Sequence, residues 1–362
     1  MHVKLVDSQK IRRTFSEISE LVSVVLTAHR PRLKFMIQGM KKASLRSFFL
    51  FGLTVLLTVS CTSVNSYNGK ADSNSQTSTP IEITTSNIDR NNELRDRIEQ
   101  ISQVAQGRVG VTATVLETGE SVTFNGDQQF PMQSVYKFPI AMAVLAQVDQ
   151  ENLKLDQKIR IEVSDVVQES RILEENSQGR EFLLSQLLQY MVSESDSTAC
   201  DALLRLVGGP QRVMEYLSSL GVNDIVVANT ENEIQFGQDT TLQYRNSATP
   251  DAAVNLLRAF YEGRGLSDSS QASLRQWMTE TSTGPNRIKG LLPEGTVVAH
   301  KTGTSATVDG VTAATNDVGI VTLPNGRHLA IAVFVSDSRA SGTIREGVIA
   351  RVAKATWDEW SQ

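Results

Sequence analysis

The chain has 362 residues, 40% of them apolar, which is enough to bury one large core or two ordinary ones. Its formal net charge is −5 with no basic stripe, so nucleic acid is excluded as a partner class. The four histidines, at 2, 29, 300 and 328, share none of the paired spacings of zinc sites, and only two cysteines exist, Cys61 and Cys200, so no metal cofactor is expected.

Residues 1–39 carry no clear pattern, and Met40 makes a better start than Met1, so this stretch is read as an over-long start and left unassigned. Residues 40–61, "MKKASLRSFFLFGLTVLLTVSC", have a basic beginning and then an apolar run that ends in small residues at a cysteine, the pattern of an export signal. The run over 48–59 is short of the roughly 20 residues a bilayer-spanning helix needs. Leu57-Thr58-Val59-Ser60-Cys61 resembles a bacterial lipoprotein cleavage box, although Thr58 stands where the pattern prefers an aliphatic residue. The expected location is therefore outside the cytoplasm, in the periplasm, with two open routes: lipid anchoring through Cys61 or ordinary cleavage nearby. Residues 62–87 are rich in Ser, Thr, Asn and Gly, with almost nothing to bury, as in a flexible linker.

From residue 88 onward the pattern is that of a folded domain, 88–362. Leu94, Ile98, Ile101 and Ala105 fall at helical spacing, and "VGVTATVLETGESVTFN" reads as two strands joined at Thr118-Gly119. From Ser134 to about 290 the periodicity is helical, punctuated by Gly and Pro, and strands return only at Val297. "TVVAHKTGT", "ATNDVGIVTL" and "HLAIAVFVSD" are strand-like, the last two joined across Pro324-Asn325-Gly326, and a helix closes the chain. The fold class this implies is α+β: an antiparallel sheet from the N- and C-terminal strands, flanked by the terminal helices, with an all-helical subdomain inserted.

Three stretches carry chemistry. In "PMQSVYKFPI", Ser134 and Lys137 stand at i and i+3, so the amine reaches the hydroxyl, and an apolar neighbourhood is expected to lower the lysine pKa and make it a base. In "SESDSTAC", Ser195, Asp196 and Ser197 interrupt two helical patterns; their bland reading is a helix cap. In "HKTGTS", Lys301, Thr302, Gly303 and Thr304 lie on a strand, where the glycine lets a substrate approach the backbone. Cys200 shares a face with Leu203, Leu204 and Val207 and reads as a packed thiol.

In this order, the three stretches resemble those of the class A serine β-lactamases and their relatives the penicillin-binding proteins. The likeness covers 88–362, and "NEIQ…D…QYRN" is most similar to the PER/VEB-like extended-spectrum branch. The resemblance implies a β-lactam substrate, no cofactor, a monomer, and no membrane contact beyond lipidation at Cys61. It implies Ser134 as nucleophile activated by Lys137, and Ser195 as proton donor to the leaving lactam nitrogen. Lys301, Thr302, Gly303, Thr304 and Ser197 become substrate contacts, with the oxyanion hole formed by the backbone N–H groups of Ser134 and Thr304.

Class A enzymes also hold a deacylating water on an Ω-loop glutamate. Of the two on offer, Glu231 and Glu233, the branch register selects Glu233, and Arg287 falls where some members keep a guanidinium for the substrate carboxylate. Three departures stand out: Ser197 replaces the usual asparagine, Gly237 stands four after Glu233 in place of another, and Glu231 and Asn246 replace an Arg–Asp pair. The expected function is hydrolysis of penicillins and cephalosporins, conferring resistance. A penicillin-binding DD-peptidase or a β-lactam sensor acylated without turnover are the alternatives.

Overall fold

The computed structural model describes residues 85–167, 170, 179–236 and 239–362. The export signal, Cys61, most of the linker and Gly237 lie outside the described residues.

The core is an antiparallel sheet ordered β2-β1-β11-β10-β8. Its strands are β1 (Arg108–Val115), β2 (Ser121–Phe124), β8 (Val298–Thr304), β10 (Val311–Thr322) and β11 (His328–Ser338), and β9 (Thr307–Val308) adds to β10. The first and last parts of the folded domain meet in the middle of it, where Val111 pairs with Val333. Alternation assigns the faces. Val109, Val111, Ala113 and Val115, with Leu329, Ile331, Val333 and Val335, pack under α1 (Thr85–Ser102) and α9 (Gly342–Trp360). The intervening Ala330, Ala332 and Phe334 face the second core, which the helical part builds.

That part comprises α2 (Lys137–Asp149), α3 (Leu184–Ser193), α4 (Ser197–Val207), α5 (Pro210–Ser219), the short α6 (Glu231–Phe236), α7 (Pro250–Tyr261) and α8 (Asp268–Thr279). At its centre is α2, buried without interruption from Lys137 to Ala146, as expected of a helix apolar all round. Its Pro139 lies in the first turn, where no helical hydrogen bond is lost. The expected architecture is thus present, with one correction: the inserted part is not purely helical. It also holds β4 (Lys158–Ile161) paired with β5 (Arg180–Leu183), and β6 (Ile225–Val226) and β7 (Ser247–Ala248), which form a small second sheet with β3 (Phe130–Pro131) just ahead of it. Strands of two to four residues are too short to show an alternation.

Candidate active site

The segment before Ser134 is pinned from two sides. Asn316, on β10 and wholly buried, donates to the carbonyls of Pro131 and Met132 at 2.7 and 3.1 Å. Gln133, in the left-handed region at φ 47°, donates to the Gln243 carbonyl at 3.0 Å. Ser134 then sits in a 3₁₀ turn, Gln133–Tyr136, that runs straight into α2. Three residues per turn eclipses i with i+3, which sets Lys137 Nζ 3.0 Å from Ser134 Oγ.

A cleft of about 650 Å³ opens over this pair, lined among others by Ser134, Ser195, Ser197, Glu231, Thr302 and Thr304. On one wall is Ser195, between α3 and α4, with its backbone in the left-handed region at φ 61°. That conformation costs a serine about 1 kcal/mol or more. Here it aims both ends of the residue inward: the carbonyl accepts from Lys137 Nζ at 2.7 Å, and the hydroxyl accepts from Lys301 Nζ at 2.9 Å. Asp196 caps α4 through the Ala199 N–H at 2.8 Å and accepts from Ser170 at 2.8 Å. The bland cap reading of this stretch is therefore correct for Asp196, while Ser195 faces the site. Ser197 Oγ lies 3.4 Å from Lys137 Nζ.

The opposite wall is β8. A Cβ on Gly303 would lie 2.2 Å from the Met132 carbonyl oxygen. The glycine is thus required by the chain's own approach under the nucleophile, which differs from the expected role of admitting substrate. Thr302 Oγ1 shares a 2.6 Å hydrogen bond with Thr283, and Thr304, exposed, turns its hydroxyl toward Arg287 Nη2 at 2.7 Å. Arg287 is buried and also donates to the carbonyls of Gly303 and Asn316. It lines the cleft beside Thr304.

The two lysines differ although both are fully buried. Burial pushes the Lys137 amine down, but the carboxylate of Glu231, 2.9 Å away, outweighs it with neighbouring anionic groups and the net shift is upward. The expected lowering of Lys137 is therefore wrong, because the apolar neighbourhood contains a carboxylate. Lys301 is the depressed one, brought down to about 7 by burial and then by the charge of Lys137.

Glu231 and Glu233 are separated by the same local chemistry. Thr230 and Glu233 form a reciprocal cap at the start of α6. The Glu233 N–H donates to Thr230 Oγ1 at 3.1 Å, and Glu233 Oε2 accepts from the Thr230 N–H and from Asn229 Nδ2, both at 3.0 Å. These bonds hold the Glu233 carboxyl below its ordinary range and keep it on the surface. Glu231, at the first helical position, is buried in the cleft on Lys137. The glutamate that reaches Lys137 is thus Glu231, two residues before the one expected from sequence. Four beyond Glu231 is Gln235, an amide that lines the cleft. Two before it is Asn229, and the missing Arg–Asp pair is replaced by Asn246, whose Oδ1 accepts from the N–H groups of Ala228 and Asn229 and whose Nδ2 donates to the Asn229 carbonyl.

Sequence reading missed Asp201. From α4 it accepts the Glu231 N–H at 2.7 Å and the Asn232 N–H at 2.8 Å, and its own carboxyl is raised to about 6 by burial, with the charge of Glu231 adding to it. No local spacing signals this contact. The Thr230-x-x-Glu233 pattern, by contrast, was readable as a cap. Cys200 is packed as expected, 3.4 Å from Tyr136 Oη.

Residues 93–360 match the model of the Beta-lactamase enzyme family. The chain is 45% identical over 267 residues to the extended-spectrum β-lactamase PER-1 of Pseudomonas aeruginosa, covering 73% of this chain and 86% of that one. It is 43% identical over 266 residues to β-lactamase VEB-1 of the same organism, covering 72% and 88%. A solved β-lactamase from Chitinophaga pinensis superposes with a TM-score of 0.72 at 46% identity, over 74% of this chain and 98% of the other. The chain belongs to the β-lactamase enzyme family, in the PER/VEB-like branch of class A.

Proposed function

We propose that this enzyme opens the β-lactam ring by acylating Ser134 and then hydrolyses the ester with water activated by Glu231, so that it confers resistance to the antibiotic. The observation that carries the reading is the buried line Ser134 Oγ–Lys137 Nζ–Glu231 Oε1, with steps of 3.0 and 2.9 Å. At rest the shared proton lies on Lys137. Passing it to Glu231 leaves a neutral amine that takes the proton of Ser134 as the hydroxyl oxygen attacks the lactam carbonyl. The N–H groups of Ser134 and Thr304 hold the resulting oxyanion.

Collapse breaks the C–N bond, and Ser195 protonates the leaving nitrogen and is resupplied through Lys301, its 2.9 Å neighbour. Thr302 and Thr304, which line the cleft, hold the substrate carboxylate with Ser197 alongside, and the charge of Lys301 lies behind them. In the second half Glu231 first releases its proton to solvent while Lys301 regains one from it; as a carboxylate Glu231 then takes a proton from water, hydroxide attacks the ester, and Ser134 leaves with a proton from Lys137, which Glu231 replaces. A carboxylate in this place favours turnover over the peptidase and sensor readings, whose members lack it. The same reading includes export by residues 40–61 into the periplasm, by lipid anchoring through Cys61 or by ordinary cleavage nearby, and action as a monomer.

The test is turnover of a chromogenic cephalosporin by the purified protein and by Ser134→Ala, which loses a hydroxyl in a cleft and should keep its fold. Sustained colour from wild type and at least a ~10⁴-fold loss in the variant are expected. A single-equivalent burst from wild type would support the sensor, and activity within a few-fold in the variant would end the serine mechanism.

A further inference from the structure

We propose that Tyr244, on the return limb of the loop that carries Glu231, is a positioning residue whose hydrogen bond to Asp337 on β11 sets how wide an acylamino side chain the cleft admits. This rests on the reading above, in which Ser134 is acylated by a β-lactam.

Past α6 the chain returns to β7 through a 3₁₀ turn, Thr240–Tyr244. Two bonds of this limb go to the segment before Ser134: the Gln243 carbonyl accepts from Gln133 Nε2 at 3.0 Å, and the Asn246 carbonyl accepts from the Met132 N–H at 2.8 Å. Tyr244 points elsewhere. Its hydroxyl donates to Asp337 Oδ1 at 2.8 Å, which ties the limb to the end of β11 in the main sheet. Asp239 and Arg245 pair with each other at 3.2 Å, a contact that stays within the limb.

Asp337 is itself anchored. Its Oδ2 accepts from Arg108 Nε at 3.1 Å, and Arg108, at the start of β1, lies 4.7 Å over the Phe130 ring and donates to the Gln129 carbonyl at 3.2 Å. Phe130 begins β3, which pairs with β7 and leads into Met132 and Gln133. The contacts therefore close a ring: Tyr244, Asp337, Arg108, Phe130, then along the chain to Gln133 and across to Gln243, the neighbour of Tyr244. Burial and the hydrogen bond to Asp337 push the Tyr244 phenol above its ordinary value, so it keeps its proton and donates throughout the neutral range. Gln235, Asp239 and Gln243 line the cleft on this wall. With the lactam nitrogen at Ser195 and the carboxylate at Thr302 and Thr304, the acylamino group leaves the reacting carbonyl on the other side, toward these three residues. A tie that holds Gln243 inward limits the room for that group.

Tyr244→Phe keeps the ring and removes the tie. Two cephalosporins with the same acetoxymethyl group at C3, one with a thienylacetyl side chain and one with a branched oxyimino side chain, are compared on a single preparation, so that any inactive fraction cancels. The ratio of their kcat/KM values, branched over unbranched, should rise about threefold through a lower KM for the branched compound, the scale of one hydrogen bond at a partly exposed site. Amide hydrogen exchange over residues 239–246 should quicken, with that of β8 unchanged. Asp337→Asn, whose amide still bonds the hydroxyl, should keep the wild-type ratio. Asp337→Ala should match Tyr244→Phe in that ratio, and the two changes together should add nothing further, as expected of partners in one interaction. An unchanged or lowered ratio in Tyr244→Phe, or effects that sum in the double variant, overturns the proposal. So does a ratio that moves in Tyr244→Ala and not in Tyr244→Phe, which would assign the role to the ring. Failure of the wild-type protein to turn over either compound would instead strike the proposed function.

Discussion

The two walls of the cleft are built on different principles. The β8 wall is fixed by the sheet: Gly303 pairs with Asn316, and the Asn316 side chain returns to clamp the segment before Ser134. The wall that carries Glu231 has little regular structure of its own, since α6 is six residues long, and side-chain caps hold it: Asp201, Thr230 with Glu233, and Asn246. A sheet wall fails by steric displacement, whereas a capped loop fails by losing buried hydrogen bonds. The first should impair acylation and the second deacylation.

That contrast can be broken most forcefully at Gly303. Gly303→Ala drives a methyl against the Met132 carbonyl, so β8 and the nucleophile turn must part by a fraction of an ångström to about one. A displacement of that size at reacting groups lowers kcat/KM about a hundredfold, with acylation as the slowed step in stopped-flow kinetics. An effect confined to deacylation would erase the distinction between the walls.

Next in size is Asn246→Ala, which leaves the N–H groups of Ala228 and Asn229 and the buried Asn229 carbonyl without their partner. Stability should fall by about 3 kcal/mol in urea unfolding, and steady-state acyl-enzyme should rise while the acylation rate stays within a few-fold. Equal losses in both half-reactions would mean that the loop supports the nucleophile too.

The smallest effect sharpens the sheet wall. Lys301 is an ammonium below about pH 7 in the free enzyme, so kcat/KM should decline above that pH on its alkaline limb. In the unfolded chain the same amine keeps its proton to its ordinary 10.5, so the unfolded state binds more protons between about 7 and 10.5. The contribution of Lys301 to stability therefore rises with pH through that window. Lys301→Arg, which does not titrate there, should flatten the limb whatever it does to the plateau.

Legibility in the sequence followed the same division. The hairpins at Thr118-Gly119 and Pro324-Asn325-Gly326, the helix beginning around Ser134, and Lys301 to Thr304 on a strand were all readable, because strand alternation and i,i+3 spacing are local signals. The side chains that converge from regular elements, Ser134, Lys137, Ser195 and Lys301, stand together as spacing and resemblance implied. What was not legible was which loop glutamate lies beside Lys137. Its place is decided by a cap between Thr230 and Glu233 and by Asp201 thirty residues upstream, and a register borrowed from relatives carries neither. The sign of the Lys137 shift failed for the same reason, since it depends on which glutamate lies beside the amine.

The most direct measurement is the mass of Ser134 adducts in two variants, Glu231→Gln and Glu233→Gln, mixed with a good cephalosporin. Either change keeps size and removes one carboxylate. The account predicts that Glu231→Gln accumulates a covalent adduct of one lactam, with deacylation slowed on the order of a hundredfold or more, while Glu233→Gln turns over within a few-fold of wild type. An adduct trapped by Glu233→Gln and not by Glu231→Gln would contradict it.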